Sequence, residues 1–415
     1  MMAGAGNEVY VAAPARKFGH ERYTHESGVT VFGVPSTSIF GYPYYRAPTV
    51  VFSKRRLEKF IREVNPDVIH LQQHFMVGLE ARKIARKLNI ATIGTNHFLP
   101  ENLVHYAPKI LRKPLANFSF NQLLGVYGDI HIVTTPTATA AKVIEDIGFT
   151  TRIIPVSNGI DLKRFNPKNK GEYLFKKYGI PKKKTVLYVG RLDKEKRVDL
   201  LIMALSLVRE KVDAQLVLVG PGTQKFQLKR LVKKLKLEKY VIFTGFIEDV
   251  DMPNIYKVGD VYANAGIAEL QCIAAMEAMA CGLPVVVSDY KALPELVEVG
   301  GNGYLFHDDY RDLAKHLVAI LQNDKLRQNM SKKSLEIISG HSSEKTVEIY
   351  TGLYKKTIEL HKKGKMLPVK KNRTVDVTYT FFIWAILVFA AFEIVAQPFF
   401  NLNKAVSLAR STPKD

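Results

Sequence analysis

The sequence predicts an α/β fold with two doubly wound, Rossmann-like domains that face each other across a cleft, followed by a C-terminal hydrophobic helix. In both halves, short β-rich runs alternate with amphipathic helical stretches, which is typical of parallel sheets covered by helices on both faces. A segment rich in turn residues separates the two series. The chain has 415 residues, which is too many for one hydrophobic core.

The first half shows the alternation from residue 8 onwards. Residues 54–64 carry apolar side chains with the period of a helix, at Leu57, Phe60, Ile61 and Val64. A second helix is predicted at residues 79–88, and strands at residues 8–13, 67–71, 91–95 and 130–135. A doubly wound domain ordinarily opens with a strand, a glycine-rich turn and a helix. We find no such unit before residue 8, so either the fold starts differently or the chain lacks its beginning.

The domain boundary is predicted in residues 155–184, which contain the turn and loop sequences SNGID, FNPKNKG and PKKK. A second alternating series follows, with strands predicted at residues 185–189, 215–219, 241–244, 261–264 and 284–288. The expected organisation is an N-terminal domain (residues 1–154) and a second domain (residues 155–343). A closing helix with a basic linker (residues 344–373), the hydrophobic helix (residues 374–400) and a tail (residues 401–415) would follow.

The chain is strongly basic. Lysine and arginine number 60 and aspartate and glutamate 39, so the net charge is +21. This excess favours a phosphorylated substrate, an acidic membrane face or nucleic acid. No nucleic-acid recognition module is visible, so we expect no nucleic acid partner. The only cysteines, Cys272 and Cys281, indicate no disulfide framework and fit a reducing cytoplasm.

Residues 377–396 form an apolar stretch whose only charge is Glu393. As a helix it would be about 30 Å long, enough to cross a bilayer. The basic sequence HKKGKMLPVKKNR before it would keep the preceding domains on the cytoplasmic side. The uninterrupted apolar part, residues 381–392, also fits a buried or interfacial helix, or an oligomer contact. We expect a membrane anchor, because no globular core remains to bury this stretch.

The sequence VGRLDKEKR, at residues 189–197, follows an apolar strand. Gly190 allows a tight turn, and Arg191 and Lys196 place two cations at a strand end. An arginine fork and a lysine charge are suited to a diphosphate. Taken alone, the motif fits an ordinary solvated basic turn equally well.

Glu269 and Glu277 frame the sequence ELQCIAAME. Glu277 would lie inside an apolar helix, where a carboxylate rarely occurs without a partner. Glu269 would lie just before that helix, near free N–H groups that bind anions. An ion pair across the domain is the alternative interpretation for Glu277. The sequences GPG at residues 220–222 and TGF at residues 244–246 also follow apolar strands, but each is a weak signal alone.

Together, GRLDKEKR, the two glutamates around EAMACGLPVV, and SNGID resemble the retaining glycosyltransferases of family 4, which have the GT-B fold. The resemblance covers residues 8–361. It implies that the N-terminal domain is acceptor-side and that the second domain binds a nucleotide sugar. Gly190, Arg191 and Lys196 would then belong to the donor site, with the two cations holding the diphosphate.

The same resemblance assigns the remaining site residues. Glu269 would contact the transferred sugar and Glu277 would bind the ribose. Backbone N–H groups near Ile273 and Ala274 would face the phosphates. His97, in TNHFLPEN, falls where the family has an active-site histidine, although a structural histidine is the alternative.

Two other features bear on this interpretation. His70 and His74 are interpreted as structural or acceptor-side, since no Cys/His pattern supports a metal site. Gln271 and Cys272 replace the usual glycine after Glu269, and this variant resembles the branch that glycosylates membrane lipids. Residues 106–120 mix basic and apolar side chains and would be a membrane-docking face or an ordinary covered helix.

The resemblance therefore implies a hexosyltransferase. It would move a hexose from a nucleoside diphosphate sugar to a hydroxyl group, with retention, by front-side attack. No metal or cofactor is expected besides this donor substrate. The acceptor would be a membrane lipid at the cytoplasmic leaflet, and the oligomeric state stays open. The alternatives are a sugar-nucleotide epimerase of the same fold and an inactive nucleotide-sugar-binding membrane protein.

Overall fold

The computed structural model describes residues 2–15, 21–39, 42–48, 50–74, 76–98, 113–114, 117, 121, 123–128, 130–146, 149 and 153–364. The hydrophobic helix expected in residues 374–400 lies outside these residues, as does most of the segment 106–120. None of the helices within the described ranges is both long and apolar enough to span a bilayer.

The described residues form two compact units. The first unit contains the described parts of Met2–Gly94, Phe118–His131 and Thr357–Asp415, and the second contains those of Thr95–Asn117 and Ile132–Lys356. The functional boundary expected between residues 154 and 155 stays a prediction.

The described part of the first unit is built mainly of short strands, with helices beside them. Its strands are β1 (Tyr10–Pro14), β2 (Glu21–Thr24), β3 (Thr30–Val34), β4 (Ser36–Ile39), β5 (Tyr42–Pro48), β6 (Val68–Leu71) and β7 (Ala91–Thr95). Helices α1 (Val50–Val64) and α2 (Met76–Leu88) belong to the same unit. The helix predicted from residue 54 thus begins four residues earlier. The strands predicted at residues 8–13, 67–71 and 91–95 and the helix predicted at residues 79–88 are also found, and their ends differ from the prediction by at most three residues.

The pairing of these strands corrects the prediction of a purely parallel first sheet. β1 pairs parallel with β3, and β6 pairs parallel with β7. β2 instead pairs antiparallel with β3, and β4 pairs antiparallel with β5. Only residues 25–29 connect β2 to β3, with Gly28 at φ 80° in the turn. Such a connection is too short for the crossover that parallel neighbours require.

Strands and helices follow one another in the described residues of the second unit from Ile132 onwards. Its strands are β8 (Ile132–Thr135), β9 (Ile153–Pro155), β10 (Lys184–Val189), β11 (Ala214–Val219), β12 (Val241–Gly245), β13 (Val261–Asn264), β14 (Val285–Ser288) and β15 (Gly303–Phe306). Its helices are α3 (Ala138–Asp146), α4 (Glu172–Lys177), α5 (Val198–Val208), α6 (Lys225–Lys234), α7 (Met252–Ile255), α8 (Ile273–Ala280), α9 (Tyr310–Gln322), α10 (Asp324–Ser339) and α11 (Ser343–Lys362), which ends in the first unit. α4 lies in the segment predicted to be loop, and β15 was not predicted.

A six-stranded parallel sheet organises the second unit, in the order β12-β11-β10-β13-β14-β15. β10, β11, β13 and β14 are almost entirely buried, because apolar side chains from both of their faces enter separate hydrophobic cores. Buried apolar strands of this kind are typical of parallel sheets with helices on both faces. The doubly wound fold predicted for the second half is therefore confirmed.

Candidate functional site

The order of the six strands marks one place for a ligand. The chain reverses its winding direction between β10 and β13, and ligands of doubly wound sheets bind beyond the carboxyl ends of the strands at such a switch point. The loop after β10 carries residues 190–197, and the loop after β13 carries residues 265–272, which lead into α8. Every predicted site residue except His97 lies on these two loops or on α8.

Glycines let the loop after β10 lie directly against the loop after β11. Gly190 has φ 154°, and its N–H donates to Val219 O at 3.0 Å. A Cβ on Gly220 would lie 2.2 Å from Gly190 O, so no larger residue fits there without moving the main chain. Leu192 N–H donates to Pro221 O at 2.8 Å. The GPG sequence therefore has a structural role in supporting the loop that carries Arg191 and Lys196.

Arg191 is held by two carboxylates of its own loop. Its guanidinium donates to Asp193 Oδ2 at 2.5 Å and to Glu195 Oε1 at 3.1 Å. The Asp193 and Glu195 side chains are only 4% and 6% exposed, whereas Arg191 is 44% exposed. Asp193 Oδ1 also accepts from the N–H and hydroxyl of Thr223, each at 2.9 Å. Arg191 is thus fixed from one side and open to solvent on the other.

Lys196 and Glu269 meet across the two loops. Lys196 Nζ donates to Glu269 Oε1 at 2.6 Å, and both side chains are largely buried, at 16% and 12% exposure. Burial opposes the charge of Lys196, but the Glu269 carboxylate and its hydrogen bond outweigh that effect and raise the pKa of Lys196. The structure therefore brings together a sheltered cation and the glutamate predicted to contact the sugar.

Helix α8 has one accessible face. Ile273, Ala274 and Glu277 are half-buried, while the other five residues of the helix are buried. Positions i, i+1 and i+4 lie on the same side of a helix. The side chain of the N-cap residue Cys272 forms no capping hydrogen bond at the N-terminus of α8, where N–H groups and the helix dipole attract anions. The three residues predicted for donor binding on α8 thus share its accessible face.

Glu277 is bonded to a tyrosine, and no lysine or arginine forms a salt bridge with it among the ion pairs of the described residues. Its Oε2 accepts from the Tyr256 hydroxyl at 2.5 Å. Burial raises the pKa of Glu277, and the hydrogen bond from Tyr256 offsets only part of that effect. The domain-crossing ion pair considered from the sequence is replaced by this neutral donor.

Gln271 connects the loop after β13 to the SNGID sequence, and the sequence did not predict this role. Its Oε1 accepts from Asn158 N–H at 2.9 Å, and its Nε2 donates to Ser157 Oγ at 2.9 Å. Ser157 Oγ also lies 3.0 Å from His341 Nδ1. The unusual glutamine after Glu269 was the available signal, but its partner lies 114 residues away in sequence.

The two cysteines are thiols, and the described part of the chain also bears on the expectation of no metal site. Cys272 and Cys281 are both buried and free. Burial raises the pKa of the Cys272 thiol to about 12, so this thiol stays protonated at neutral pH. Among the described residues, no group of three or more His, Cys, Asp or Glu side chains is arranged to hold a metal ion.

The histidines differ in their surroundings. His97 follows β7 and is exposed to solvent, yet the protein atoms that crowd its ring lower its pKa by desolvation. His74 is buried, and burial lowers its pKa to about 4. His70 is half-buried beside Gln72. His74 is thus kept neutral, as a structural residue would be, while the role predicted for His97 stays a prediction.

A cavity of about 490 Å³ lies on another side of the loop after β10, beside α6. Asp193, Glu195, Gln224, Gln227 and Ile267 are among the residues that line it. None of the predicted site residues lines this cavity. The strand order and the paired side chains, rather than cavity size, therefore locate the candidate site.

Comparison with known families covers both halves of the chain. Residues 1–164 match the family described as Glycosyltransferase Family 4. Residues 171–336 match the family described as Glycosyl transferases group 1. The second match contains every predicted site residue except His97.

Individual proteins that are similar to this chain are also named as synthases of a glucosyl lipid or of a sugar phosphate. The alpha-monoglucosyldiacylglycerol synthase of Acholeplasma laidlawii is 27% identical over 343 residues, which cover 79% of this chain and 84% of the relative. The enzyme of the same name from Streptococcus pneumoniae is 28% identical over 77% of this chain and 74% of its own. The sucrose-phosphate synthase structure from Thermosynechococcus elongatus aligns with a TM-score of 0.71 at 19% identity, covering 86% and 90% of the two chains.

Proposed function

Because the chain belongs to the glycosyltransferases of family 4 and has their GT-B fold, we propose that it transfers a hexose from a nucleoside diphosphate sugar to a hydroxyl group of a membrane lipid, with retention of configuration. The observation that carries the donor part of this proposal is the buried pair of Lys196 and Glu269 beside the N-terminus of α8.

In the donor complex, the diphosphate replaces Glu269 as the partner of Lys196. The ammonium group and the N–H groups at Ile273 and Ala274 then face the phosphate oxygens, where negative charge increases as the sugar leaves. Glu269, released from Lys196, accepts hydrogen bonds from the sugar hydroxyls. Arg191 adds charge from the exposed side of its guanidinium. Without donor, the two buried side chains neutralise each other.

The ribose is assigned to the accessible face of α8. Glu277 is an acceptor that two ribose hydroxyls can share, and Tyr256 holds its carboxyl group in place from the other side. His97, with its lowered pKa, is neutral at pH 7 and hydrogen-bonds the sugar or diphosphate without adding charge. No cofactor or metal ion enters this scheme besides the donor substrate.

The acceptor and the stereochemistry are proposed from two relatives. Both are named for an α-linked glucosyl diacylglycerol. An α-linked product from an α-linked nucleoside diphosphate hexose retains the configuration at C1. In front-side attack, the bond from C1 to the diphosphate oxygen breaks and a bond to the acceptor oxygen forms on the same face. The acceptor proton passes to the departing diphosphate. The enzyme would work at the membrane surface that contains its lipid.

The test is a donor and acceptor screen with the full chain. Uridine diphosphate glucose and guanosine diphosphate mannose would each be incubated with vesicles that contain diacylglycerol, and with total lipid extract. Mass spectrometry identifies the product and proton NMR gives its anomeric configuration. We expect one donor to give an α-linked glycolipid, and the Glu269→Gln variant to give much less.

Other outcomes contradict the proposal in different ways. Free sugar without a lipid product would indicate the sugar-nucleotide epimerase. Nucleotide-sugar binding with no turnover on any lipid would indicate an inactive binding protein. A β-linked product would contradict retention alone.

A further inference from the structure

A strongly basic surface lies on helix α6 of the second unit, apart from the residues proposed for transfer. Residues 225–239 contain seven lysines or arginines and one acidic residue, Glu238. All seven cationic side chains are exposed to solvent. They are Lys225, Lys229, Arg230, Lys233, Lys234, Lys236 and Lys239.

These seven side chains are not paired with carboxylates. In the part of the chain that the structure describes, no salt bridge or hydrogen bond joins any of them to an acidic side chain. The three lysines at residues 182–184 differ in this respect, because each of them forms a salt bridge with a glutamate or an aspartate. The positive charge of α6 is therefore available to an external partner, whereas that of residues 182–184 is neutralised locally.

Four of the exposed residues form one stripe along α6. Phe226, Lys229, Arg230 and Lys233 occupy positions i, i+3, i+4 and i+7, which lie on the same side of a helix. Phe226 is 69% exposed, and the Arg230 guanidinium carbon lies 6.0 Å from the centre of its ring. We call these four residues the α6 face. An exposed aromatic ring thus lies within a row of cations.

The other side of α6 is covered by the protein. Leu228 and Val232 are buried in the hydrophobic core of the second unit. Three carboxylates line the cavity of about 490 Å³ beside α6, but this cavity meets the helix at Gln227, Leu228 and Leu231. None of the α6 face is among the described residues that line it. The apolar side of the helix is thus used within the fold, and only its basic side faces outwards.

The spacing of the cations makes them repel one another. Like charges four positions apart destabilise a helix. Three such pairs occur, Lys225 with Lys229, Lys229 with Lys233, and Arg230 with Lys234. The helix itself contains no acidic residue that would offset this repulsion. An anionic partner would relieve it.

We propose that the α6 face docks onto a membrane surface rich in acidic lipids. Lysine and arginine side chains are attracted to the negative potential of such a surface, and an aromatic ring among them enters the interface. The choice of a membrane over another polyanion rests on the lipid acceptor of the proposed function. α6 begins at the same edge of the six-stranded sheet as the candidate site, so docking there holds that site close to the lipid.

The experiment measures sedimentation of the full chain with vesicles of phosphatidylcholine, with and without phosphatidylglycerol, over a range of lipid concentrations and without donor. The quantity compared is the ratio of the two partition coefficients, acidic over neutral. Any contribution of the apolar residues 377–396 that does not depend on lipid charge cancels in this ratio. We expect the triple variant Lys229→Gln/Arg230→Gln/Lys233→Gln to lower the ratio by about 10²-fold, since each cation near an acidic surface contributes about fivefold.

The matched control is the triple variant Lys182→Gln/Lys183→Gln/Lys184→Gln. It gives the chain the same net charge as the test variant but removes cations that already have carboxylate partners, so the ratio should stay close to that of the wild type. Phe226→Ser keeps every cation and should weaken binding to the acidic vesicles severalfold, because the ring leaves water only at a membrane interface.

Three outcomes would overturn the proposal. One is an equal fall of the ratio in both triple variants, which would mean that net charge alone acts. Another is no fall in the α6 variant, with the protein folded by circular dichroism. The third is weaker binding of the α6 variant to single-stranded RNA with unchanged binding to vesicles, which would identify a nucleic acid as the partner. Vesicle binding that depends on the α6 face without any glycolipid product would instead count against the proposed function alone.

Discussion

Two regions of the loop after β10 hold a cation in contrasting ways. Around Arg191, the carboxylates are buried and the cation is exposed, at 44%. Around Lys196, the cation and its partner Glu269 are sheltered to a similar degree, at 16% and 12%. Arg191 is bound by residues of its own loop, whereas the partner of Lys196 comes from a different loop, 73 residues away in sequence.

The difference indicates which cation a ligand can recruit. Asp193 and Glu195 bind Arg191 within one loop, so these ion pairs also stabilise the loop itself. The Lys196–Glu269 pair joins two loops at the switch point, where a diphosphate can replace Glu269. We therefore expect a change at Lys196 to lower both transfer and folding stability, and a change at Arg191 to affect folding stability more than transfer.

The largest effect is expected for Lys196→Met. Loss of one charge-stabilising donor should lower the rate of transfer by about 10²–10³-fold. Glu269 would also be left buried without its cation, which should lower the free energy of unfolding by about 3–5 kcal/mol. Both are measured on purified protein, by glycolipid formation and by urea unfolding.

Two further variants separate these effects. Lys194→Met removes an exposed lysine from the same turn and should change neither quantity. The double variant Lys196→Met/Glu269→Leu removes both buried charges, so it should regain most of the stability while transfer stays lost. Transfer restored by the double variant would show that Lys196 only supports the fold.

A smaller effect, on stability, is expected for Arg191→Gln. The Asp193 and Glu195 carboxylates would lose a cation, but Asp193 would keep its hydrogen bonds from Thr223 and both would gain some water, so we expect a loss of about 2–3 kcal/mol in the free energy of unfolding. Nucleoside diphosphate should still raise the melting temperature of this variant. If the variant is as stable as the wild type but no longer responds to nucleotide, the two regions have been assigned in the wrong order.

Glu277→Gln tests the accessible face of α8. The variant should bind nucleotide more weakly, on the order of tenfold, because a charged acceptor becomes neutral. Its effect on stability has the opposite sign. Burial raises the pKa of Glu277, so the folded protein disfavours its charged form. The variant should therefore melt at a higher temperature than the wild type at pH 7. The difference should disappear as the pH falls through the raised pKa, and a difference that grows towards acidic pH would contradict this.

The smallest effect is expected for Gln271→Leu, about 1 kcal/mol of unfolding free energy, since water can replace the lost partner of the half-buried Asn158 N–H. Gln227→Leu, an exposed change on α6, is the control. Ser157→Ala combined with Gln271→Leu should cost less than the sum of the two, because both changes break the same hydrogen bond.

The sequence predicted the six-stranded sheet better than the strands of the first unit. β10, β11, β13 and β14 consist mostly of apolar residues, so their buried pattern is visible without a structure. β2 is mostly exposed and has no apolar face to reveal it. The antiparallel pairing of β2 with β3 depends on a short turn, and alternation with helices gave no sign of it.

The candidate site shows the same limit. Motifs identified Lys196, Glu269 and Glu277, because charged side chains stand out after an apolar strand or inside an apolar helix. Their actual partners depend on contacts between distant positions, such as Tyr256 with Glu277 and Gln271 with Ser157. A sequence pattern carries the residue types of such contacts, but the strand order decides which of them meet.

The close packing of the loops after β10 and β11 restricts how this protein can be redesigned. A Cβ on Gly222 would lie 2.3 Å from Leu192 N, and one on Gly220 would lie 2.2 Å from Gly190 O. Random libraries at these two glycines should return almost only glycine, and an inserted residue in either loop would need a matching change in the other. Donor preference is therefore better altered from the accessible face of α8, where Ile273 and Ala274 can vary without moving main chain.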